Sequence, residues 1–228
     1  MDEMTEIEVS FKEKLAKKKF LIPVFGVSLL FLIVLSSVVL VSHPVVWEKI
    51  HRPVMKDKLK EIHFEDANRI TGGLWSDEPY TEISSNLNYW KKMNEKEIAH
   101  YEDVRSLLGI ARVVIIVCTI LTVLGFVIFG WKKVWLSILA SFILLGVIAG
   151  VWMMIHWHSL FKALHWVIFW DDSWKLPAKS YSLGLFPHKV WQQAGGVIAG
   201  LVFIPLALPL LSLLWKLFKG KKEKQIEE

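Results

Sequence analysis

Hydrophobic positions in this chain come in four long blocks, with the polar positions gathered between and beyond them. No Asp, Glu, Lys or Arg falls within Phe20–Trp47, Val113–Trp131, Val134–Phe161 or Val190–Trp215. Each block supplies the roughly 20 apolar residues with which a helix crosses about 30 Å of hydrocarbon. The pattern predicts an all-α, polytopic integral membrane protein with four transmembrane helices and a mostly helical extracytoplasmic cap. The predicted segments are a tail over 1–19, spans over 20–42, 107–131, 134–156 and 190–215, intervening segments over 43–106 and 157–189, and a tail over 216–228. A signal peptide is the rival reading of the first block. Its apolar run exceeds an h-region, however, and no A-x-A-like cleavage site precedes Pro44, so the first span is expected to be retained.

Composition agrees with this pattern and charge orients it. The chain is 54% hydrophobic and only 21% charged, with a formal net charge of +5. The basic residues do not form a nucleic-acid platform interleaved with aromatics. Lys17, Lys18 and Lys19 precede the first span, Lys132 and Lys133 form the turn between the second and third, and Lys216, Lys219, Lys221, Lys222 and Lys224 follow the fourth. In a four-span chain these groups share one side, and the positive-inside rule predicts cytoplasmic termini with both long connections outside. Within the first connection, Ile83 to Leu108 contains no Pro or Gly and carries apolar residues at helical spacing, which predicts a helix running down into the second span. Pro177, Gly184 and Pro187 break the second connection ahead of the fourth span.

Candidate chemistry lies in those two connections. None of the eight histidines falls in a segment predicted to be cytoplasmic, and His156, His158, His165 and His188 lie in or beside the second connection. His158 and His165 are seven positions apart and would share a helix edge. His100 lies between Glu97 and Asp103, three positions either side, which would orient its ring and favour the imidazolium. An interfacial histidine and a solvated charged helix face are the bland readings of these positions. The tryptophans from Trp152 to Trp191 fit either an interfacial belt or an aromatic platform that admits a lipid-like substrate at headgroup level. The single Cys118 allows no intramolecular disulfide and no cysteine-based metal site. There is no G-x-S-x-G elbow, H-E-x-x-H pair or P-loop. Histidine as general acid or base is the chemistry that remains. Only Ser, Thr and Cys interrupt the span interiors, which argues against an ion path.

The run Glu97-Ile98-Ala99-His100-Tyr101-Glu102-Asp103-Val104-Arg105, after Asn88-Tyr89, resembles the Glu-x-x-His-x-x-Asp-Val-Lys/Arg pattern of the lipoprotein intramolecular transacylase (Lit) family. Phe161-Lys162-Ala163-Leu164-His165-Trp166-Val167-Ile168-Phe169, followed by Trp174 and Leu185-Phe186-Pro187, resembles that family's Phe-x-x-x-His-x-x-x-Phe stretch. The chain departs from the pattern at Tyr101, where the family carries a methionine. The resemblance implies a bacterial plasma-membrane enzyme acting outside the cytoplasm on a diacylglyceryl lipoprotein among membrane lipids. It would move the sn-2 acyl chain from the diacylglyceryl group on the N-terminal cysteine to that cysteine's own α-amino group, giving an N-acyl lyso-form lipoprotein. Nucleophile and electrophile are then tethered, and positioning replaces a covalent intermediate. His100 is the candidate general base, and His165 the candidate for oxyanion stabilisation and protonation of the leaving oxygen, with the two roles open to exchange. Glu97 and Asp103 are candidate orienting groups, and Tyr101, Arg105, Trp170 and Trp174 candidate substrate contacts. No cofactor, metal or nucleic acid is expected. A non-enzymatic membrane protein whose external histidines bind a metal ion or a partner is the alternative.

Overall fold

The computed structural model describes residues 19–88, 92–137, 139, 158–159, 161–169 and 172–224. The described residues are helical throughout apart from turns. A short turn over Lys19–Leu21 leads into α1 (Ile22–Val41), followed by α2 (Pro44–Met55), α3 (Glu61–Gly73), α4 (Tyr80–Ser85) and α5 (Glu95–Phe129). Residues 131–137 are helical, α6 covers 161–168, and α7 (Tyr181–Leu185) and α8 (His188–Lys224) complete the chain.

Among the described residues, Lys19–Val41 and α5 are long and apolar enough to cross a membrane. The predicted fourth span lies within α8, and most of the predicted third span lies outside the described residues. Ile110, Val113, Ile116, Val117, Ile120, Val123, Leu124 and Val127 are all exposed along α5. So broad an apolar face suits hydrocarbon and not water.

α1 runs alongside α5, and α8 packs against α1 and α2. Gly125 permits the close approach of α1 and α5, since a Cβ there would stand 2.6 Å from Phe25 Cβ. Phe25 and Phe129 meet at 5.7 Å between centroids, and with Leu29, Val134 and Val202 they form one buried cluster at this end of the spans. Gly130, at φ +79°, then ends α5 with its N–H on Phe126 O at 3.0 Å. Only a residue without Cβ takes that backbone conformation without strain.

The larger core belongs to the cap, where Trp47, Phe64, Ile70, Tyr80, Ile83, Tyr101, Leu108, Leu185 and Val190 pack together. It is built from α2 to α4, the first turns of α5, and α7 with the start of α8. The helix predicted from Ile83 to Leu108 begins instead at Glu95. Asn94 caps it: Asn94 Oδ1 accepts from Glu97 N at 3.1 Å, and Glu97 Oε2 accepts from Asn94 N at 2.9 Å. This reciprocal box is a strong helix start. From there α5 continues without a break for 35 residues, roughly 50 Å at 1.5 Å per residue. One helix therefore both enters the membrane and carries His100 above it.

Candidate active site

His100 sits in the second turn of α5 and His165 on α6, and their rings lie 6.2 Å apart between centroids. Two segments distant in the sequence thus bring the two predicted catalytic histidines together. Phe169 lies 5.0 Å from His100 and 5.5 Å from His165, and Phe161 stacks on His165 at 3.9 Å. Phe161 and Phe169 stand four positions either side of His165, so α6 and the residue that follows it bring two aromatic rings to the imidazole. Trp174 approaches from the following turn at 5.3 Å from His165. Both histidines are half-buried.

The environment sets the state of His165. Burial among these rings lowers its pKa from the ordinary histidine value, and the hydrogen bond to Phe161 O opposes the shift without cancelling it. Nδ1 lies 2.8 Å from that carbonyl oxygen. A carbonyl oxygen only accepts, so Nδ1 carries the proton, and in the neutral ring Nε2 presents a lone pair.

Glu97 acts on the cap's architecture. It is fully buried, and its Oε1 accepts from Ser182 N at 2.7 Å and from Ser182 Oγ at 2.5 Å, while Oε2 serves the Asn94 cap. Spacing suggested that Glu97 would orient the His100 ring directly, but these hydrogen bonds run to Ser182 and Asn94 and fix α7 to the first turn of the helix that bears His100. Asp103 is half-buried and makes no hydrogen bond or ion pair among the described residues. Tyr101 is buried and stacks on Tyr80 at 5.3 Å, as part of the cap core. Arg105 pairs with Glu102, donates to Ser76 O at 3.1 Å and to Glu78 O at 2.6 Å, and lies over the Tyr80 ring. Its guanidinium ties the turn before α4 onto α5. Trp170 lies outside the described residues, as do Tyr89, Trp90, His156 and Trp157.

Two further histidines form a pair of their own. His158 and His188, both exposed, meet edge to face at 5.4 Å, and Phe161 stands between this second pair and His165.

Sequence reasoning missed three buried anchors. Asp66 accepts from Asn88 N and from Tyr181 Oη, each at 2.7 Å. Ser182 holds Glu97. His51, fully buried and with its pKa lowered by that burial, donates from Nε2 to Leu185 O at 2.8 Å. α7 is therefore held near its start by two carboxylates and at its end by an imidazole. The Asn94-x-x-Glu97 spacing was a local signal for the cap, but nothing local marks Ser182, Tyr181 or His51.

Comparison with known proteins places this architecture. The sequence model of the family described as "Lipoprotein intramolecular transacylase Lit" matches residues 22–189. No curated protein matches the chain. The in meso structure of the membrane integral lipoprotein intramolecular transacylase Lit from Bacillus cereus superposes with a TM-score of 0.69 at 18% identity, covering 90% of this chain and 98% of its own. The same enzyme with a histidine-to-arginine mutation gives 0.62 at 16% identity, with 96% and 99% covered. Its histidine-to-alanine form gives 0.64 at 18% identity, with 95% and 99% covered. The family match runs from the start of α1 into the start of α8 and takes in both histidines, and the chain belongs to the lipoprotein intramolecular transacylase (Lit) family.

Proposed function

We propose that this protein moves the sn-2 acyl chain of a diacylglyceryl-cysteine lipoprotein onto the cysteine α-amino group, with His100 and His165 as the acid–base machinery. The observation that carries the reading is the meeting of these two imidazoles inside a wall of Phe161, Phe169 and Trp174. A lipid ester needs an apolar wall, and aminolysis needs a base, an oxyanion partner and an acid.

The tautomer of His165 supports exchanging the two roles assigned from the sequence. Its Nε2 lone pair suits the general base, and a lowered pKa keeps the ring neutral at physiological pH. The substrate amine has an unperturbed pKa of about 7.7 to 8.0, so a neutral fraction is at hand. Its nitrogen attacks the ester carbonyl carbon, the carbonyl π pair moves onto oxygen, and His165 takes the proton from nitrogen. His100 donates a hydrogen bond to the oxyanion. Collapse re-forms the carbonyl and breaks the bond to the glyceryl oxygen, which recovers the proton from His165. The products are an amide and a free 2-hydroxyl. No metal enters this scheme.

The same reading puts both termini in the cytoplasm and the histidines at the outer leaflet, with four spans anchoring them. Glu97 then serves as a positioning residue, holding α7 against the helix of His100. Trp174 contributes the substrate wall, and Arg105 acts through the fold of the cap.

Mass spectrometry of the N-terminus of a synthetic diacylglyceryl lipopeptide, incubated with purified protein in lipid, tests this. His165→Ala and His100→Ala should each lower N-acylation by about a hundredfold to ten-thousandfold, with His158→Ala and His188→Ala far milder. Full activity in a folded His165→Ala variant would remove the proposed base. Loss of activity with EDTA and its recovery with one divalent ion would favour the metal-binding alternative.

A further inference from the structure

Arg112 is a charge that the acyl-transfer site leaves unused. It lies inside the predicted second span near its outer end, between exposed Ile110 and Val113, although the span interiors read as free of ionisable groups. An ionisable residue at that depth calls for a partner. Arg52 and Arg105 each have a carboxylate, on Glu48 and Glu61 for the first and on Glu102 for the second. Arg112 makes no ion pair among the described residues. Its guanidinium lies over the Trp75 ring at 4.2 Å, its Nη2 donates a long 3.4 Å bond to Leu74 O, and its enclosed Nε has no acceptor among the described residues.

The surroundings are fixed in place. Trp75 donates from Nε1 to Ser42 O at 2.9 Å and meets His43 edge to face at 4.9 Å, which pins the indole above the outer end of α1. Below Arg112 on the same edge of α5 stand Ile116, Ile120 and Val123, all exposed. With one face on Trp75, Nε enclosed and Nη2 on Leu74 O, the guanidinium keeps its Nη1 end for an anion, where a phosphodiester oxygen can accept a charge-assisted hydrogen bond.

We propose that Arg112 and Trp75 form a site for the phosphate of a membrane phospholipid, with the acyl chains lying along Ile116, Ile120 and Val123. The ligand is a structural or regulatory lipid and not the acyl donor, because the diacylglyceryl substrate carries no phosphate. The site stands apart from His100, about three helical turns further along α5.

Delipidated full-length protein in detergent, titrated with phosphatidylglycerol and followed by native mass spectrometry and thermal unfolding, tests the proposal. The wild type should bind one lipid tightly and unfold at a higher temperature when it does. Arg112→Gln should weaken that binding on the order of tenfold, as expected for loss of one charge-assisted contact. Arg112→Lys should recover only part of it, and Trp75→Leu should weaken it as well. Diacylglycerol with the same chains and inorganic phosphate should each leave the wild type unshifted. An equal shift with diacylglycerol would leave only the acyl chains, and an equal shift with phosphate would make this a free-anion site; either overturns the lipid assignment. Unchanged phosphatidylglycerol affinity in Arg112→Gln would reduce Arg112 to a brace for Trp75. Should Arg112→Gln fail to fold, Trp75→Leu and the ligand series on the wild type distinguish the same outcomes.

Discussion

Replacing Glu97 by Gln changes one buried atom and should loosen the frame that carries His100. Glu97 accepts four hydrogen bonds, from Ser182 N and Oγ on one oxygen and from Asn94 N and Nδ2 on the other. Glutamine keeps one oxygen and turns the other into a donor. The Ser182 hydroxyl and the Asn94 side chain can turn, but the backbone N–H of Ser182 and that of Asn94 cannot, so one of them faces an NH2 group. A buried N–H left without an acceptor costs about 1 to 3 kcal/mol, and the surviving bonds lose their charge assistance, worth about 1 kcal/mol more. The expected destabilisation is therefore about 2 to 4 kcal/mol. Ser182→Ala, which removes one hydroxyl and leaves the backbone bond intact, should cost only about 1 kcal/mol, as should loss of the helix cap in Asn94→Ala. Unfolding of the three variants at fixed lipid content ranks them. Acyl transfer by the Glu97→Gln protein that remains folded should show a reduced kcat with KM nearly unchanged, because the substrate wall of Phe161, Phe169 and Trp174 is intact. A Glu97→Gln variant as stable as Ser182→Ala would refute the reasoning, since the carboxylate would then not be what holds α7 to α5.

Three further outcomes are expected. On acidification, acyl transfer should fall first as the substrate amine protonates, at about 7.7 to 8.0, and a second time with a midpoint below the ordinary histidine value of about 6.5, because burial lowers the pKa of His165 and the base must be neutral. The same shift ties stability to pH: the contribution from His165 is fully present above its unfolded pKa and is lost as pH falls through the folded one, so acid unfolding and loss of turnover should be measured together. Gly125→Ala should cost about 1 to 3 kcal/mol in a thermal unfolding assay, since its Cβ meets Phe25 at 2.6 Å where α1 and α5 touch; an unchanged midpoint would mean that the helices part without penalty. A cysteine replacing Glu95 should react with an impermeant reagent from outside intact cells, and one replacing Lys133 only after permeabilisation; the reverse would put the histidines on the wrong side of the membrane.

What the sequence determined by itself was whatever physical chemistry writes locally. Hydrocarbon excludes charge over about 20 residues at a stretch, so the blocks from Phe20 and Val113 by themselves mark helices able to cross a membrane. His100 and His165 stood out because each lies in a short run that resembles the Lit pattern. The start of α5 was also written locally, in the Asn94-x-x-Glu97 box, although the helix was expected to begin at Ile83. Tertiary structure alone decided the partners. Glu97 and Ser182 are 85 positions apart, Asp66 and Tyr181 are 115 apart, and His51 and Leu185 are 134 apart. Spacing on one helix suggested that Glu97 would serve His100, three positions on, but a buried carboxylate goes to the donors that most need an acceptor, and those were the backbone N–H groups of Asn94 and Ser182. Helical periodicity likewise put His158 and His165 on one edge, whereas packing sent one to His188 and the other to His100. A sequence shows which groups carry costly polar atoms; which of them satisfy one another depends on how the helices pack, and that is settled only when the chain closes on itself.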